Sequence, residues 1–462
     1  MRMLEPTRVR TIACCLSPLV AAQAEARRWA KERKEQDMRR SKVFTLGVGW
    51  GLWSAIILPA SAVEITDIRN AVMFEWNGAS GAVYSVQADY ALTGGWQEIG
   101  AAVAAGDTVR WADWNSGSAD HKFYRLQAIS LPQEMRLVAG GGQPSGPSYD
   151  FYMARFLVSN EDFAQFLNDA KMNQGNERGT NMYFGTSGNV FMDSSENSSE
   201  KLFSIDNLDS FGWNNVQPGI VYTNGAYVAV SSYRNHPVIG VSWFGAIKYC
   251  NWKTIHEGRG SSQRCFSEGP SAADWHPITL SNAQWADGFD DTERLAWATN
   301  PSTRFGYRLP TDAEYYKAAS WDGTDNTTYG FGRNTLGSSD ANYQNSGDPF
   351  DSTTAPYTQN GGPTTPNGFY IGYKWSRSRG GWVGGAEEFQ TNPNDNQYEI
   401  YDMSGNVNQW MTDYASGTSE RSRRGGSWYT WSSSLYTWNA YSSYPYTTLQ
   451  FIGFRVVSTD NP

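Results

Sequence analysis

Side chains that could bind a metal ion or act as a nucleophile are few in this sequence. It has four cysteines, of which Cys14 and Cys15 lie near the N-terminus and Cys250 and Cys265 lie in the second half. This number excludes a dense disulfide framework, although one bridge between Cys250 and Cys265 is permitted in an exported protein. The histidines are widely spaced and form no helical pair, so no histidine cluster for iron is expected. They are His121, His236, His256 and His276.

The segment 429–451 has a composition suited to ligand binding. Its 23 residues include five Tyr, five Ser, four Thr and two Trp, and none is charged. Aromatic side chains offer contact area at low entropy cost, and small polar ones offer adaptable hydrogen bonds. The alternative is that these aromatics form core beneath inserted loops, but so many hydroxyls in a core would need partners. The predicted ligand-binding residues are Trp428, Tyr429, Trp431, Tyr436, Trp438, Tyr441, Tyr444 and Tyr446.

Composition and charge limit the class of protein. The chain has 20 Trp, 26 Tyr, 21 Phe and 46 Gly with only 18% charged residues, which favours a compact fold with long irregular loops. Residues 63–462 hold 26 basic and 41 acidic side chains, a net charge of -15. Such a surface repels phosphate backbones and anionic lipid, so no nucleic-acid partner is expected. It suits calcium or neutral ligands better.

The N-terminal region has the pattern of a targeting segment. The apolar run at 43–58 follows the basic stretch 38–42 and precedes Ala60-Ser61-Ala62, an order typical of a signal peptide. The run is short for a membrane span, and a single membrane anchor is the alternative. We therefore predict that residues 1–62 are leader and signal peptide, with translation starting at Met1 or Met38. The mature chain is predicted to be exported, periplasmic or extracellular, without a transmembrane span.

Residues 63–128 are predicted to form a small β-sandwich, because short aromatic or β-branched runs alternate with turn clusters such as Asn77-Gly78. The strands are predicted at 72–76, 83–87, 96–99 and 123–126. The pattern resembles the fibronectin-type modules of exported bacterial proteins, which implies a spacing or adhesive role. Residues 129–134 form a predicted linker.

The elements that must position the chemistry of residues 135–458 are few. Three helices are predicted: one opens at Asn160 as its cap, one at Ser242, and one at Thr311 with Glu314 at the capping-box spacing. The remainder is Gly/Asn/Ser/Asp-rich loop with short strands. This pattern predicts an irregular α+β domain.

Motifs distributed in order along this domain resemble those of the formylglycine-generating enzyme, or sulfatase-modifying factor, family. The resemblance implies a C-type-lectin-like fold with little regular structure. Two insertions, 254–304 and 367–398, depart from the family pattern and are long enough to shape a ligand surface. The motifs are FLVSN at 156–160, HPVIGVSW at 236–243 with YCNW at 249–252, YRLPTDAE at 307–314, YDMSGNVNQW at 401–410, RGGSW at 424–428 and GFR at 453–455.

The family's catalysis, as the resemblance implies, uses two cysteine thiolates that hold copper(I) while oxygen converts a substrate cysteine to formylglycine. Those cysteines lie three and eight positions after the serine of the GGS motif. Counting from Ser427 gives Thr430 and Leu435, and neither can supply a thiolate, so no catalytic residue and no bound copper are expected. Cys250 matches a structural family position and is predicted to be a buried, inert thiol. A relocated copper pair with Cys265 is disfavoured.

Two neighbouring arginine positions of the family are also replaced. They correspond to Tyr436 and Ala440, while the family's proline is retained as Pro445. The composition of the segment resembles the variable regions of retroelement-diversified proteins, which use the same lectin-like fold. The resemblance therefore implies that the side chains of this segment have been replaced while the flanking family motifs are retained.

The family binds two structural calcium ions, and its ligand positions carry over to this chain. Gln409 replaces the family's usual glutamate, so a charge is lost and affinity should fall. The alternative is an Asn/Asp-rich turn stabilised by its own hydrogen bonds. The implied ligands are Asn342, the Tyr343 carbonyl, Asp348 and the Phe350 carbonyl for one ion, and Asp402, the Gly405 and Val407 carbonyls and Gln409 for the other.

The leading hypothesis is an exported protein that binds a glycan, a peptide or a surface protein through the face at 428–451, which is a candidate diversified variable region. One alternative is an oxidoreductase of the formylglycine-generating type that acts on a protein cysteine. Another is a structural surface protein that carries two modules.

Overall fold

The chain divides into two compact units, Met1–Pro132 and Gln133–Pro462. The computed structural model describes eight strands within the first unit. In the second unit it describes residues 134–144, 146–192, 200–206, 216, 218–278, 306–351, 363–377, 381–382 and 386–459. Within these described parts no helix is long and apolar enough to cross a membrane.

The described elements of the first unit form two main sheets and a short two-stranded pairing of β2 with β3. One is four-stranded with the order β1-β8-β5-β6, and β4 pairs antiparallel with β7 in the other. Aromatic rings join the sheets: Phe74 lies 4.8 Å from Tyr124 and Trp76 lies 5.5 Å from Tyr84, measured between ring centroids. The strands are β1 (Thr11–Cys14), β2 (Ile57–Leu58), β3 (Ser61–Ala62), β4 (Val72–Asn77), β5 (Val83–Asp89), β6 (Gln97–Val103), β7 (Thr108–Asp113) and β8 (His121–Ala128).

The four predicted strands of this unit correspond to β4, β5, β6 and β8, whereas β7 was not predicted. Most of the apolar run at 43–58 lies outside the described residues. The signal peptide and the fibronectin-like character therefore stay predictions.

Three α-helices of the second unit begin at hydrogen-bonding caps. They are α1 (Asn160–Met172), α2 (Trp243–His256) and α3 (Asp312–Ser320). Ser242 and Thr311 cap α2 and α3 as predicted. The predicted cap of α1 is wrong by one residue, because Ser159 accepts from the Asp162 N–H at 3.1 Å. Asn160 instead donates its side-chain amide to the carbonyl of Tyr233.

The strands of the second unit are short and belong to several small sheets. A four-stranded sheet with the order β20-β19-β18-β21 includes β20, which lies within the segment 429–451. The strands are β9 (Met135–Val138), β10 (Phe151–Ala154), β11 (Tyr183–Phe184), β12 (Val190–Phe191), β13 (Lys201–Phe203), β14 (Ile220–Thr223), β15 (Ala226–Ala229), β16 (Lys374–Ser376), β17 (Glu388–Gln390), β18 (Asn408–Tyr414), β19 (Arg421–Arg424), β20 (Ala440–Ser443), β21 (Ile452–Gly453) and β22 (Val457–Ser458).

Aromatic packing between α1, α2 and the C-terminal strands forms the main core. Phe163 of α1 stacks on Tyr249 of α2 at 5.9 Å, and Phe454 meets Tyr249 edge-on at 5.3 Å. Offset and edge-on ring pairs of this kind contribute beyond the area that they bury. The core therefore fixes the chain on both sides of the segment 429–451.

A buried ion pair holds α3 in place. Arg308 forms two hydrogen bonds of 2.6 Å to the carboxylate of Glu314, and both side chains are almost fully buried. The same carboxylate accepts from the Thr311 N–H at 2.8 Å and so completes the capping box. Because the pair satisfies a charge inside the core, the loss of either partner would leave the other uncompensated.

The two cysteines of this unit are free and buried. Burial raises the pKa of the Cys250 thiol well above its ordinary value, in agreement with the prediction of an inert thiol. His236 is also buried, with Nδ1 3.0 Å from the Thr364 hydroxyl, and burial lowers its pKa to about 3. The ring is therefore neutral and structural.

Candidate ligand-binding face

Two glycines turn the chain from β19 into the segment 429–451. Gly425 and Gly426 have φ angles of 96° and 68°, which side-chain-bearing residues rarely adopt. A Cβ atom on Gly425 would lie 2.6 Å from the hydroxyl oxygen of Tyr315, and one on Gly426 would lie 2.7 Å from Cδ1 of Leu435. Both the backbone conformation and the close packing therefore require glycine at the entry to the segment.

The two ends of the segment meet in an aromatic clasp, which consists of Trp428, Tyr429, Gln450 and Phe451. The indole N–H of Trp428 donates to the Gln450 carbonyl at 3.3 Å, and the rings of Tyr429 and Phe451 stack at 5.3 Å with an angle of 7°. Trp428 is 1% exposed and belongs to the main core. Its predicted role on the ligand face is therefore corrected, since it closes the base of the face instead.

Four of the predicted residues present large apolar surfaces to solvent. The exposed fractions are 59% for Trp431, 53% for Trp438, 46% for Tyr444 and 45% for Tyr446. The described residues contain only three other exposed large hydrophobic side chains, namely Leu137, Met172 and Val228. A concentration of this kind marks an interaction surface more often than isolated exposed residues do. We refer to Trp431, Trp438, Tyr444 and Tyr446 as the aromatic face.

Ring contacts and backbone bonds hold the aromatic face in place. Tyr444 and Tyr446 stack at 5.4 Å with an angle of 6°, and Tyr436 packs on Trp438 at 4.9 Å. The carbonyl of Pro445, between the two stacked tyrosines, accepts from the Trp243 N–H at 3.0 Å. This bond ties the loop to the first residue of α2.

Tyr329 supports the face from outside the predicted segment. Its ring meets that of Tyr436 edge-on at 5.6 Å. No local sequence pattern indicated this contact, since Tyr329 lies in a loop more than a hundred residues away from Tyr436. Rigid, mutually packed rings lose little entropy on binding a ligand.

Charged groups around β20 are engaged within the protein. Arg423 donates to the Ser442 carbonyl at 3.3 Å and to the Ser443 hydroxyl at 3.1 Å, and its guanidinium lies 5.4 Å from the centre of the Tyr441 ring. Burial lowers the pKa of Arg423 to about 10, so it remains charged at neutral pH. The carboxylate of Glu420 accepts from the Ser442 hydroxyl.

The positions of the family's catalytic cysteines have structural roles here. Thr430 accepts from the Ser427 N–H at 2.9 Å, and its hydroxyl donates to the Ser427 carbonyl at 3.1 Å. Leu435 is fully buried and packs with Tyr329, Phe331 and Ala341. Neither side chain can hold copper, because neither has a soft ligand atom.

The loop that contains the first set of implied calcium ligands is buried and rich in oxygen atoms. Oδ1 of Asn342 is buried without a hydrogen-bond partner, while its amide donates to the Pro363 carbonyl at 2.6 Å. Asp348 accepts from the Ser346 hydroxyl at 2.7 Å and the Phe350 N–H at 2.7 Å. Burial raises the pKa of Asp348 to about 7, although these hydrogen bonds oppose the rise. An unpartnered oxygen and a destabilised carboxylate fit a hard cation.

The loop that contains the second set fits a cation less well. Burial raises the pKa of Asp402 to about 6, and its Oδ2 has no hydrogen-bond partner. Oδ1 accepts from Asn394 at 3.2 Å, a neighbour that sequence reasoning missed. However, Oε1 of Gln409 accepts from Arg455 at 2.6 Å, and the Gln409 amide donates to the Asp402 carbonyl at 2.9 Å. Gln409 thus directs its oxygen to a guanidinium.

The two loops meet at the backbone carbonyl of Asn342. The Asn406 N–H donates to the Asn342 carbonyl at 2.8 Å, and a Cβ on Gly405 would lie 2.6 Å from that same oxygen. Val407 is fully buried in the core. The carbonyl of Tyr343 accepts from the Ser346 N–H at 3.0 Å. Among the described residues, no group of three or more His, Cys, Asp or Glu side chains could hold a metal ion, so any site depends on amide and carbonyl oxygens.

The described part of the second insertion packs its aromatic residues around Phe350. Phe369 meets Phe350 at 5.2 Å, Trp375 stacks on Phe369 at 5.1 Å, and Trp382 lies 6.2 Å from Phe350. These contacts place the insertion against the loop Asn342–Phe350. Residues 279–305 of the first insertion lie outside the described residues.

Comparison with known proteins places these features in a family. The sequence profile of the sulfatase-modifying factor enzyme 1-like domain matches residues 144–460. The chaperone protein LppX of Paenibacillus barcinonensis is 28% identical over 200 residues, which are 42% of this chain and 59% of the relative. The match therefore spans less than two thirds of that relative's length.

Three solved structures are similar at low identity. CarF is 19% identical with a TM-score of 0.39, covering 71% of this chain and 99% of CarF. Treponema denticola variable protein 1 is 19% identical with a TM-score of 0.37, covering 72% and 96%. PvdO from Pseudomonas aeruginosa is 13% identical with a TM-score of 0.31, covering 71% and 92%. Since the profile match extends over more than half of the chain, this protein belongs to the sulfatase-modifying factor family and has its α+β, C-type-lectin-like fold.

Proposed function

We propose that this chain is an exported binding protein of the sulfatase-modifying factor family, and that the aromatic face contacts a glycan, a peptide or a surface protein. The observation that carries the proposal is the concentration of exposed aromatic side chains on a segment without charged residues. Trp and Tyr are enriched where interfaces gain most of their binding energy.

The free energy available from burying the exposed aromatic side chains supports a role in ligand binding. Burying a large apolar side chain stabilises a complex by about 1.5–3 kcal/mol. Four such side chains stand exposed, and Trp438, Tyr444 and Tyr446 are packed against neighbouring rings. The replacement of both thiolate positions by Thr430 and Leu435 also favours binding over copper-dependent oxidation.

Binding can be tested with arrays of glycans and of peptides probed with the full chain. We expect a specific ligand whose affinity falls ten-fold or more in Trp431→Ala and in Tyr444→Ala, because interfacial Trp and Tyr truncations often cost about 2 kcal/mol or more. Val228→Ala is the matched control, since Val228 is similarly exposed but lies on β15. Its affinity should equal that of the wild type.

Two results would contradict the proposal. Equal loss of affinity in the Val228→Ala control and the face variants would indicate a general effect on the protein. Stoichiometric copper(I) binding with oxygen uptake on a cysteine-containing sulfatase peptide would replace the binding function with the family's oxidase activity.

We also propose that the loop Asn342–Phe350 binds calcium as a structural ion. The support is Oδ1 of Asn342, which has no hydrogen-bond partner among the described residues, in the same loop as the buried Asp348 carboxylate of raised pKa. At the second loop the bond between Gln409 and Arg455 predicts weaker binding or none. Calorimetric titration with calcium should therefore find one tighter site, lost in Asn342→Ala and retained in Gln409→Ala.

A further inference from the structure

Among the residues that the structure describes, strand β20 lies at an open edge of its sheet. In the order β20-β19-β18-β21, β20 pairs with β19 alone, through a register that joins Arg421 to Ser443 and Arg424 to Ala440. In an antiparallel pair, alternate residues of the outer strand direct their N–H and C=O groups away from the neighbour. A strand of four residues therefore offers two such residues to solvent.

The described part of the chain does not cover these groups with other backbone. Between described residues, no backbone hydrogen bond outside the sheet joins any residue of Ala440–Ser443. The Ser442 carbonyl accepts from the side chain of Arg423, so this one group has a partner from the neighbouring strand. The opposite edge differs, because β21 has only two residues, Ile452 and Gly453, and both are buried.

The edge also lacks the usual protection against pairing. Natural edge strands are commonly blocked by charged side chains or proline, and β20 has the sequence Ala-Tyr-Ser-Ser. By contrast, the exposed strand β17 carries Glu388, which pairs with Lys374 across its hairpin. An unprotected edge beside an exposed aromatic face is therefore a place where an additional strand can bind.

Charge complementarity defines the occupant. Between Arg424 and Arg455 the chain has no charged side chain. Arg424 bonds Asp312 at 2.5 Å and Arg455 bonds Gln409, while Glu420 and Arg423 bond groups of β20. Glu420 and Arg423 carry opposite charges, so a charged ligand would lose hydration here without meeting a net opposite charge. The matching partner is an uncharged, extended polypeptide.

We infer that the protein binds an uncharged peptide segment by strand addition to β20, with Trp438 and Tyr444, which flank the strand in sequence, contacting its side chains. This inference deepens the proposed function and rests on it. Backbone hydrogen bonds to the edge supply affinity without sequence preference, and side-chain contacts supply selectivity. A neutral glycan, which has no repeating N–H and C=O pattern, would use the aromatic face alone.

The test uses the full chain and an array of uncharged ten-residue peptides. The tightest peptide is then resynthesised with a single N-methyl group at each position in turn, because N-methylation removes one backbone donor and leaves the side chain intact. We expect affinity to fall ten-fold or more at two positions that are separated by one residue, because β20 offers two outward-facing residues, and to change little at the other positions. Slower amide hydrogen exchange at 440–443 in the complex is the matching change in the protein.

Several outcomes overturn the inference and separate it from the proposed function. A uniform response to N-methylation, or unchanged exchange at 440–443, excludes strand addition even if Trp431→Ala weakens binding. Binding of neutral oligosaccharides but of no peptide keeps the proposed function and removes this inference. Concentration-dependent dimerisation that protects 440–443 without peptide would assign the edge to a second copy of the chain. If substitutions in the aromatic face leave the affinity unchanged, both proposals are removed.

Discussion

At the proposed calcium site, removal of the ion should make the stability of this protein depend steeply on pH through Asp348. Burial raises the pKa of its carboxyl from the ordinary 3.8 to about 7, so the folded protein holds the proton more tightly than the unfolded chain does. Stability from this group is therefore complete below pH 3.8 and is lost as pH rises toward 7. At 1.36 kcal/mol for each pH unit, the loss amounts to about 4 kcal/mol.

The assay is urea unfolding followed by tryptophan fluorescence at pH 4 and pH 7.5, with EGTA or with calcium. Other carboxyl groups also titrate, so the useful quantity is the difference between wild type and Asp348→Asn. In EGTA we expect this difference to change by about 4 kcal/mol between the two pH values, with wild type losing more. Calcium at a hundred times its dissociation constant should restore about 2.7 kcal/mol to wild type only.

Glu388→Gln provides the control, because Glu388 is an exposed carboxylate of β17 with only a surface ion pair to Lys374. Its pH dependence should match that of the wild type, since exposed pairs contribute little. The reasoning would be refuted if the difference between wild type and Asp348→Asn stayed constant across the pH range. It would also be refuted if calcium stabilised Asp348→Asn as strongly as wild type.

Three further predictions concern buried groups. Leu435→Ala should lower the free energy of unfolding by about 2–5 kcal/mol because it opens a cavity. Trp438→Ala, at an exposed position, should change it by about 0.5 kcal/mol or less. Urea titration compares the two variants, and equal effects would contradict the assigned burial. Arg308→Ala should cost about 3–5 kcal/mol because Glu314 is left charged in the core, and a smaller loss in thermal unfolding would show that the pair is solvated. Cys250 should react with a thiol reagent only in denaturant, so modification of the native protein, measured by mass spectrometry, would contradict its burial.

Local chemistry determined what the sequence could predict about the fold. The caps Ser242 and Thr311 lie within three residues of the N–H groups that they bind, so their pattern alone located α2 and α3. At α1 two adjacent residues could both serve as caps, and the choice of Ser159 depends on Asn160 reaching Tyr233 far along the chain. Strand β7 was missed because its partner β4 precedes it by thirty residues and its own pattern is weak.

The candidate site was predicted as a region but not residue by residue. Composition indicated an interaction surface at 428–451, and four aromatics there are exposed. Composition cannot assign individual side chains, because Trp428 is buried by contacts with the distant core. Likewise, the bond between Gln409 and Arg455 joins residues that are 46 positions apart in the sequence, so no local pattern could reveal it.

The aromatic clasp has a consequence for how this protein can change over time. It joins the ends of the segment at a buried point. The entropic cost of closing the loop is therefore offset by the contacts at Trp428 and Phe451, independently of the residues between them. Doubling the length of a closed loop adds only about 0.6 kcal/mol to that cost. Substitutions and short insertions among the exposed positions should therefore leave the fold almost as stable as before. The scaffold can acquire new recognition surfaces while Leu435, a fully buried apolar residue within the loop, keeps its position.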